Sequence, residues 1–386
     1  MMDNFIYDIP TKVYFGAGQL QQLHTILETM GKNVLLVYGG GSIHANGIYD
    51  QVMRELQTAQ KTCTELSGVE ANPSINTVQK GVDLCCKHHI DVLLAVGGGS
   101  VIDCAKVIAA ASLSEELPWN LVVHPDRITQ ALPIIAVPTI AATGSEMDHI
   151  GVITNPQTKE KIGTRHPLLR PKAAILDPTF TYSVNAYQTS CGVADIMSHV
   201  METYFAHQEA ALQDRFAEGI LKVCITYGTI AVKHPDNYEA RANLMWAASW
   251  AINDFLKLGH MTPWSVHPME HPLSARYNVT HGEGLAILTP NWMSYVLGED
   301  TVTKFAHFAK EIWNVPSTDP WDMAREGIAA LTNFFTEELG LRTSLHELGV
   351  QETDFDEMAA DAARQTVNGY VKLQAEDVKK IYQNSL

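Results

Sequence analysis

The feature that most constrains this chain is a set of short apolar runs in its first half, each closed by glycine or proline. Asn33-Val34-Leu35-Leu36-Val37-Tyr38 runs into Gly39-Gly40-Gly41-Ser42. Asp91-Val92-Leu93-Leu94-Ala95-Val96 runs into Gly97-Gly98-Gly99-Ser100, and a third run over 132–137 meets Pro138-Thr139. Each run has the length of one strand and no polar alternation, which predicts strands buried on both faces. Helical spacing fills the gaps at 47–59 and 75–88. This alternation predicts a doubly wound, mostly parallel sheet with ligands beyond the carboxyl ends of its strands, where the glycines are. Lys12–Phe15 reads as an edge segment, 151–164 as a hairpin around Asn155-Pro156, and 173–178 as one last short strand. Beyond about residue 185 no strand pattern recurs. The segments 188–206, 209–232, 238–258, 283–297, 301–313, 320–339 and 352–366 have helical spacing. The expectation is an α/β domain over 1–185 followed by an all-α domain over 186–386.

Three glycines between a buried strand and a helix let the backbone approach a ligand, and the helix N-terminus offers free N–H groups and partial positive charge. Two such turns in one sheet point to a phosphate-bearing cofactor. Neither is a known nucleotide fingerprint. Ile102 stands where a Rossmann turn needs its third glycine, and no Gly-Lys-Ser/Thr is present. A carboxylate at the end of a strand such as 33–38 would bind ribose hydroxyls and repel a 2′-phosphate. Gly39, Gly40, Gly41 and Ser42 leave room instead, so the expectation is NADP(H) rather than NAD(H); the other reading is that these glycines only make the turn.

Asp195 and His199 lie four apart, so on a helix they share a face and can share a metal. His267, His271 and His281 place three histidines within 15 residues of a chain that holds 16 in 386. Neutral imidazoles with one carboxylate suit a borderline divalent ion, Fe2+ or Zn2+. Solvated histidines and a surface Asp–His contact are the bland alternatives. No cysteine joins the cluster, which argues against a purely structural zinc.

Charge and cysteine usage narrow the function classes. With 27 basic and 43 acidic side chains the formal net charge is −16, which argues against nucleic acid and anionic membranes as partners. Six cysteines at 63, 85, 86, 104, 191 and 224 form no Cys-x-x-Cys pair and read as reduced thiols of a cytoplasmic protein. No basic-then-apolar start suggests a secretory signal, and no run is long and apolar enough for a membrane span.

In their order along the chain, these residues resemble the iron-containing alcohol dehydrogenase family. The resemblance runs from Pro10-Thr11-Lys12-Val13-Tyr14-Phe15-Gly16-Ala17-Gly18 through Gly97-Gly98-Gly99-Ser100-x-x-Asp103-x-x-Lys106 and Val137-Pro138-Thr139. It includes Ala142-Thr143-Gly144-Ser145-Glu146, Gly192-Val193-Ala194-Asp195-x-x-x-His199, His267-x-x-x-His271-Pro272-Leu273-Ser274 and Thr280-His281-Gly282. Within the family, Tyr38-Gly39-Gly40-Gly41-Ser42 and Leu288-Thr289-Pro290-Asn291-Trp292-Met293 look most like the NADPH-dependent butanol dehydrogenases.

The resemblance implies a dehydroquinate-synthase-like architecture and metal ligation by Asp195, His199, His267 and His281, with His271 a non-ligand proton relay. It also implies that Gly97, Gly98, Gly99 and Ser100 hold the pyrophosphate, that Thr139 and Thr143 line the cofactor, that Lys161 reaches its ribose or phosphate, and that Asp103 lies near the nicotinamide half. Gly39, Gly40 and Ser42 belong to the same cofactor site. One departure is Pro268, where many relatives carry a small residue; fixed φ and a lost N–H could shift His267.

The expected activity is hydride transfer between NADP(H) and small aldehydes, ketones or alcohols. The metal acts as Lewis acid, and an imidazole suited to proton transfer in either direction serves as relay. Near rivals on the same scaffold are glycerol oxidation and a dehydroquinate-synthase-like cyclisation; the latter calls for more Lys and Arg around its histidines than this chain has. A distant rival is a non-enzymatic metal or nucleotide sensor. The edge segment Lys12–Phe15 suggests a homodimer.

Overall fold

The computed structural model describes residues 3–208, 210–366 and 368–386. Among the described residues eight strands form in chain order: β1 Lys12–Phe15, β2 Asn33–Tyr38, β3 Thr62–Leu66, β4 Val92–Gly97, β5 Ile134–Pro138, β6 Ile150–Asn155, β7 Glu160–Arg165 and β8 Ala173–Leu176. Six of them make one sheet in the order β1-β8-β5-β4-β2-β3, all neighbours parallel. β6 and β7 pair antiparallel with Thr154 opposite Lys161, as the Asn-Pro turn predicts.

The apolar runs form the middle of the sheet because both their faces are covered. Val34, Leu36, Val92, Leu94 and Val96 pack with Ile48, Val52 and Leu56 of the helix Ile48–Thr58. Leu35, Val37, Leu93 and Ala95 point the other way, into a cluster with Val78 of Ile75–His88 and Val101, Cys104 and Ile108 of Gly99–Ala111. Successive residues alternate between faces, so a run without polar positions fits only a strand with helices on both sides. β1 and β3 form the two edges.

Contacts group the chain into two compact units whose membership is not colinear. The sheet unit holds Asp8–Val184 together with Pro235–Asn253, and the helical unit holds Asn185–His234, Asp254–Leu386 and the segment ending at Tyr7. The grouping differs from a cut at residue 185 in one helix, Tyr238–Ile252, which falls in the sheet unit. Its Met245 packs on Ala174 and Leu176 of the sheet unit, and its Arg241 Nη2 donates to Val184 O at 3.2 Å. The helical unit contains Ala186–Tyr204, Ala211–Lys233, His267–Tyr277, His281–Val296, Val302–Trp313, Pro320–Asn333, Phe355–Thr366 and Ala375–Asn384. No described helix is long and apolar enough to cross a membrane, and all six cysteines are free thiols.

Candidate active site

The helix Ala186–Tyr204 starts where the Asn185 side chain accepts from Gln188 N, an ordinary N-cap. From Thr189 to Tyr204 every residue is buried, so its polar side chains need partners inside the protein. Asp195, His199 and Glu202 stand at i, i+4 and i+7 and share one face.

Glu202 does two jobs. Its Oε2 accepts from Ser265 N at 2.5 Å, and its Oε1 accepts from Val266 N and His267 N, both at 2.8 Å. These N–H groups begin the helix His267–Tyr277, so the carboxylate closes a helix end with no side-chain cap of its own. Oε1 also accepts from His267 Nδ1 at 3.0 Å. Burial opposes ionisation of Glu202, yet His267 and the backbone donors hold its carboxyl below the ordinary range. Pro268 sits in the first turn of this helix, where its missing N–H has no intrahelical acceptor to lose; it leaves His267 held by Glu202.

His281 opens the next helix, His281–Val296, and its Nδ1 donates to Glu270 Oε2. Glu270 also accepts from Ser274 Oγ. The glycines after His281 have steric reasons. A Cβ on Gly282 would lie 1.9 Å from the Cys191 carbonyl oxygen, and one on Gly284 would lie 2.9 Å from Glu270 Cγ. Between them Glu283 is buried and accepts from Tyr187 Oη at 2.7 Å and Arg342 Nη1 at 3.0 Å.

The result is a convergence of donor atoms. One ligand atom each from Asp195, His267 and His281 lies within 4.8 Å of the other two. His281 Nε2 is 3.8 Å from Asp195 Oδ1. His199 stands beside this trio rather than in it: its Nδ1 is 3.7 Å from Asp195 Oδ1 and its ring stacks on His267 at 4.7 Å between centroids. Burial pushes the His199 imidazole down to about 4 although Asp195 pulls the other way, so the ring is neutral and able to ligate. Asp195 Oδ1, His199 Nδ1 and His267 Nε2 are buried without hydrogen-bond partners among the described residues. Each such group costs about 1–3 kcal/mol, which a bound cation removes. Carboxylate and imidazole donors fit Fe2+ or Zn2+. His271, one turn along from His267, has its ring 6.5 Å from His267 and 6.0 Å from His281. Trp264, with φ of 52°, sets its ring edge-on to His267 at 5.1 Å. Glu202 and Glu270 escape a search for histidines; their signal is spacing, seven after Asp195 and three after His267.

The two glycine turns of the sheet unit differ. At β4, a Cβ on Gly97 would meet Val101 Cγ2 at 2.6 Å and one on Gly99 would meet Thr143 Oγ1 at 2.2 Å. This turn is close-packed, with Thr139 N donating to Gly97 O at 3.0 Å and Ser100 Oγ donating to Ala71 O. Thr139 and Thr143 therefore flank the start of the helix Gly99–Ala111. At β2, a Cβ on Gly40 or Gly41 would meet nothing within 4 Å, and Gly41 has φ of 104°. Asp103 accepts from Ser145 Oγ at 2.6 Å and Val152 N at 3.0 Å, so its carboxylate is engaged inside the protein. Lys161 is buried on β7.

Comparison with known proteins agrees with this arrangement. Residues 10–178 match the iron-containing alcohol dehydrogenase family model, and residues 189–386 match that of the Fe-containing alcohol dehydrogenase family, C-terminal. The chain is 48% identical over 389 residues, all of both proteins, to NADH-dependent butanol dehydrogenase A of Clostridium acetobutylicum. It is 37% identical over 354 residues, 90% of each, to the NADPH-dependent aldehyde reductase YqhD of Escherichia coli. The crystal structure of NADH-dependent butanol dehydrogenase A from Thermotoga maritima superposes with a TM-score of 0.94 at 36% identity, covering 100% of this chain and 99% of that one. With a parallel sheet, a helical unit and a buried Asp–His cluster in the order the motifs require, the chain belongs to the iron-containing alcohol dehydrogenase family.

Proposed function

We propose that the chain transfers a hydride between NADP(H) and small aldehydes or ketones, or the corresponding primary or secondary alcohols, with one divalent ion at the histidine cluster. The observation that carries this reading is the convergence of Asp195, His267 and His281 within 4.8 Å. Asp195, His199, His267 and His281 would hold the ion. When bound, such an ion supplies positive charge that polarises a carbonyl oxygen, and the nicotinamide supplies the hydride.

The chain's own residues hold and position. Burial keeps the His199 ring neutral, and Glu202 orients the His267 ring. His271 takes up or returns the alcohol proton at a ring nitrogen. Gly97, Gly98, Gly99 and Ser100 begin a helix whose first N–H groups suit a pyrophosphate. Thr139 and Thr143 flank that turn, Asp103 serves the nicotinamide half, and Lys161 the ribose or phosphate.

Preference for NADP(H) is supported by the turn at β2. The strand itself ends without a carboxylate, and Gly40 and Gly41 stand in open space, so a 2′-phosphate meets no side-chain bulk at this turn. A second reading, NADH, is favoured by the names of the butanol dehydrogenases of Clostridium acetobutylicum and Thermotoga maritima. Initial rates on butyraldehyde with each nucleotide, paired with elemental analysis of the protein as isolated, separate the two. The expected outcome is one Fe2+ or Zn2+ per chain and a kcat/KM at least about tenfold higher with NADPH. A higher kcat/KM with NADH overturns the nucleotide preference. Full turnover in metal-free protein overturns the metal-dependent chemistry.

A further inference from the structure

Two buried carboxylates stand behind the imidazoles of the cluster, each on the helix that precedes its histidine in the site. Glu202, on Ala186–Tyr204, accepts from His267 Nδ1 on His267–Tyr277 at 3.0 Å. Glu270, on His267–Tyr277, accepts from His281 Nδ1 on His281–Val296. The three helices are therefore joined in series, each of the first two lending a carboxylate to the next one's imidazole. An ionised carboxylate can only accept, so the shared hydrogen sits on Nδ1 in both rings and the lone pair is left on Nε2. His267 Nε2 is one of the buried atoms without a partner among the described residues, and His281 Nε2 is the atom that faces Asp195. His199 is different: its Nδ1 is itself buried without a hydrogen-bond partner.

We propose that Glu202 and Glu270 are positioning residues that fix the tautomer and orientation of His267 and His281, and so set the affinity of the site for a divalent cation. The proposal rests on the metal reading above. Fixing Nδ1–H removes the competing tautomer, in which the metal-facing nitrogen would carry hydrogen. The carboxylate charge also makes the imidazole a stronger donor. The two acids are not interchangeable. Glu202 also closes a helix end through three backbone N–H groups, so its removal disturbs the fold as well. Glu270 accepts from the side chains of Ser274 and His281, and its space is reserved by Gly284.

Glu270→Gln decides the matter, because it keeps the shape and an acceptor oxygen while removing the charge. Metal-free protein is titrated with Co2+, reading the visible absorption of the bound ion and its competition with a chelator. The expected result is a Kd for Co2+ raised about 10- to 100-fold. The urea midpoint should fall further for the Co2+-loaded variant than for the metal-free one. Glu283→Gln is the control. It removes a buried carboxylate on the helix of His281 that bonds Tyr187 and Arg342, and its Kd should stay within about threefold of the parent's. A Glu270→Gln Kd within that same margin overturns the proposal, as does an equal loss in both variants. A parent chain that takes up no Co2+ at all overturns the metal reading itself, a separate result. Glu202→Gln, where it folds, should weaken Co2+ binding as Glu270→Gln does; where it does not, Glu270→Gln alone decides.

Discussion

Gly282 packs directly on the backbone of the helix Ala186–Tyr204. The obstacle to a side chain there is the backbone of Cys191, 1.9 Å from a Cβ, and no rotamer change relieves a clash with backbone. Gly282→Ala should cost upwards of about 2 kcal/mol, read as a lower urea midpoint, with weaker metal retention because His281 is its neighbour. Gly40 is the opposite case. Nothing lies within 4 Å of its Cβ, so Gly40→Asp should leave the urea midpoint in place. On the proposed cofactor site it should lower kcat/KM for NADPH at least about tenfold relative to NADH. A ratio that does not move would place discrimination outside this turn. At this scale the sequence reads unevenly. The histidines are legible because that residue type is scarce and closely spaced over 267–281, and Asp195 because it stands four before His199. Glu202 and Glu270 are not, since an acid in a helical stretch reads as solvated until its neighbours in space are known.

Among elements, the helix Gly99–Ala111 is tied to the hairpin through Lys106, which is fully buried. Its Nζ donates to Asp148 Oδ1 at 2.5 Å, Ser145 Oγ at 2.8 Å and Ile150 O at 2.7 Å. Lys106→Met leaves Asp148 buried without its cation, beside the carboxyl groups of Asp103 and Glu146, and should destabilise by about 3–5 kcal/mol. Combining it with Asp148→Leu should recover much of that loss, as measured by urea denaturation. Asp103 belongs to the same network. Burial raises its carboxyl to about 6 although Lys106 pulls it down. A carboxyl raised in the folded state contributes stability that is present below about 4 and lost as the pH climbs through 6. Stability measured from pH 4 to 7 should therefore fall more steeply in the parent than in Asp103→Asn; parallel curves would refute this assignment.

The elements most legible in sequence are the buried strands, β2 above all, because apolar runs between glycines have one reading. β3 is missed because Thr62-Cys63-Thr64-Glu65-Leu66 is an edge strand with a largely polar pattern. The helix His267–Tyr277 is hidden by Pro268 and Pro272, one of which lies in its first turn and the other inside it. Ala375–Asn384 is missed as well.

For the whole molecule, the order of residues and the order of packing part company at Tyr238–Ile252. Gly144 has φ of 66°, and a Cβ there would lie 2.3 Å from the Ala248 carbonyl oxygen. Ser249 Oγ donates to buried Glu146, and Trp246 packs edge-on against Phe15 at 5.6 Å. These contacts are long-range in sequence, which is why the pattern alone assigns this helix to its neighbours along the chain. A fragment of residues 8–184 should be incomplete. Linking 235–253 to it through a flexible Gly-Ser tether should raise its stability by at least about 2 kcal/mol, from burial of Leu244 and Met245, and should reduce binding of an apolar dye. Equal stability with and without the tethered helix would refute that role.

The same arrangement bears on synthesis. A nascent chain leaving the ribosome cannot complete its sheet unit until residue 253 has emerged, so the 50 residues Asn185–His234 of the other unit must wait, tethered at both ends to a half-built neighbour.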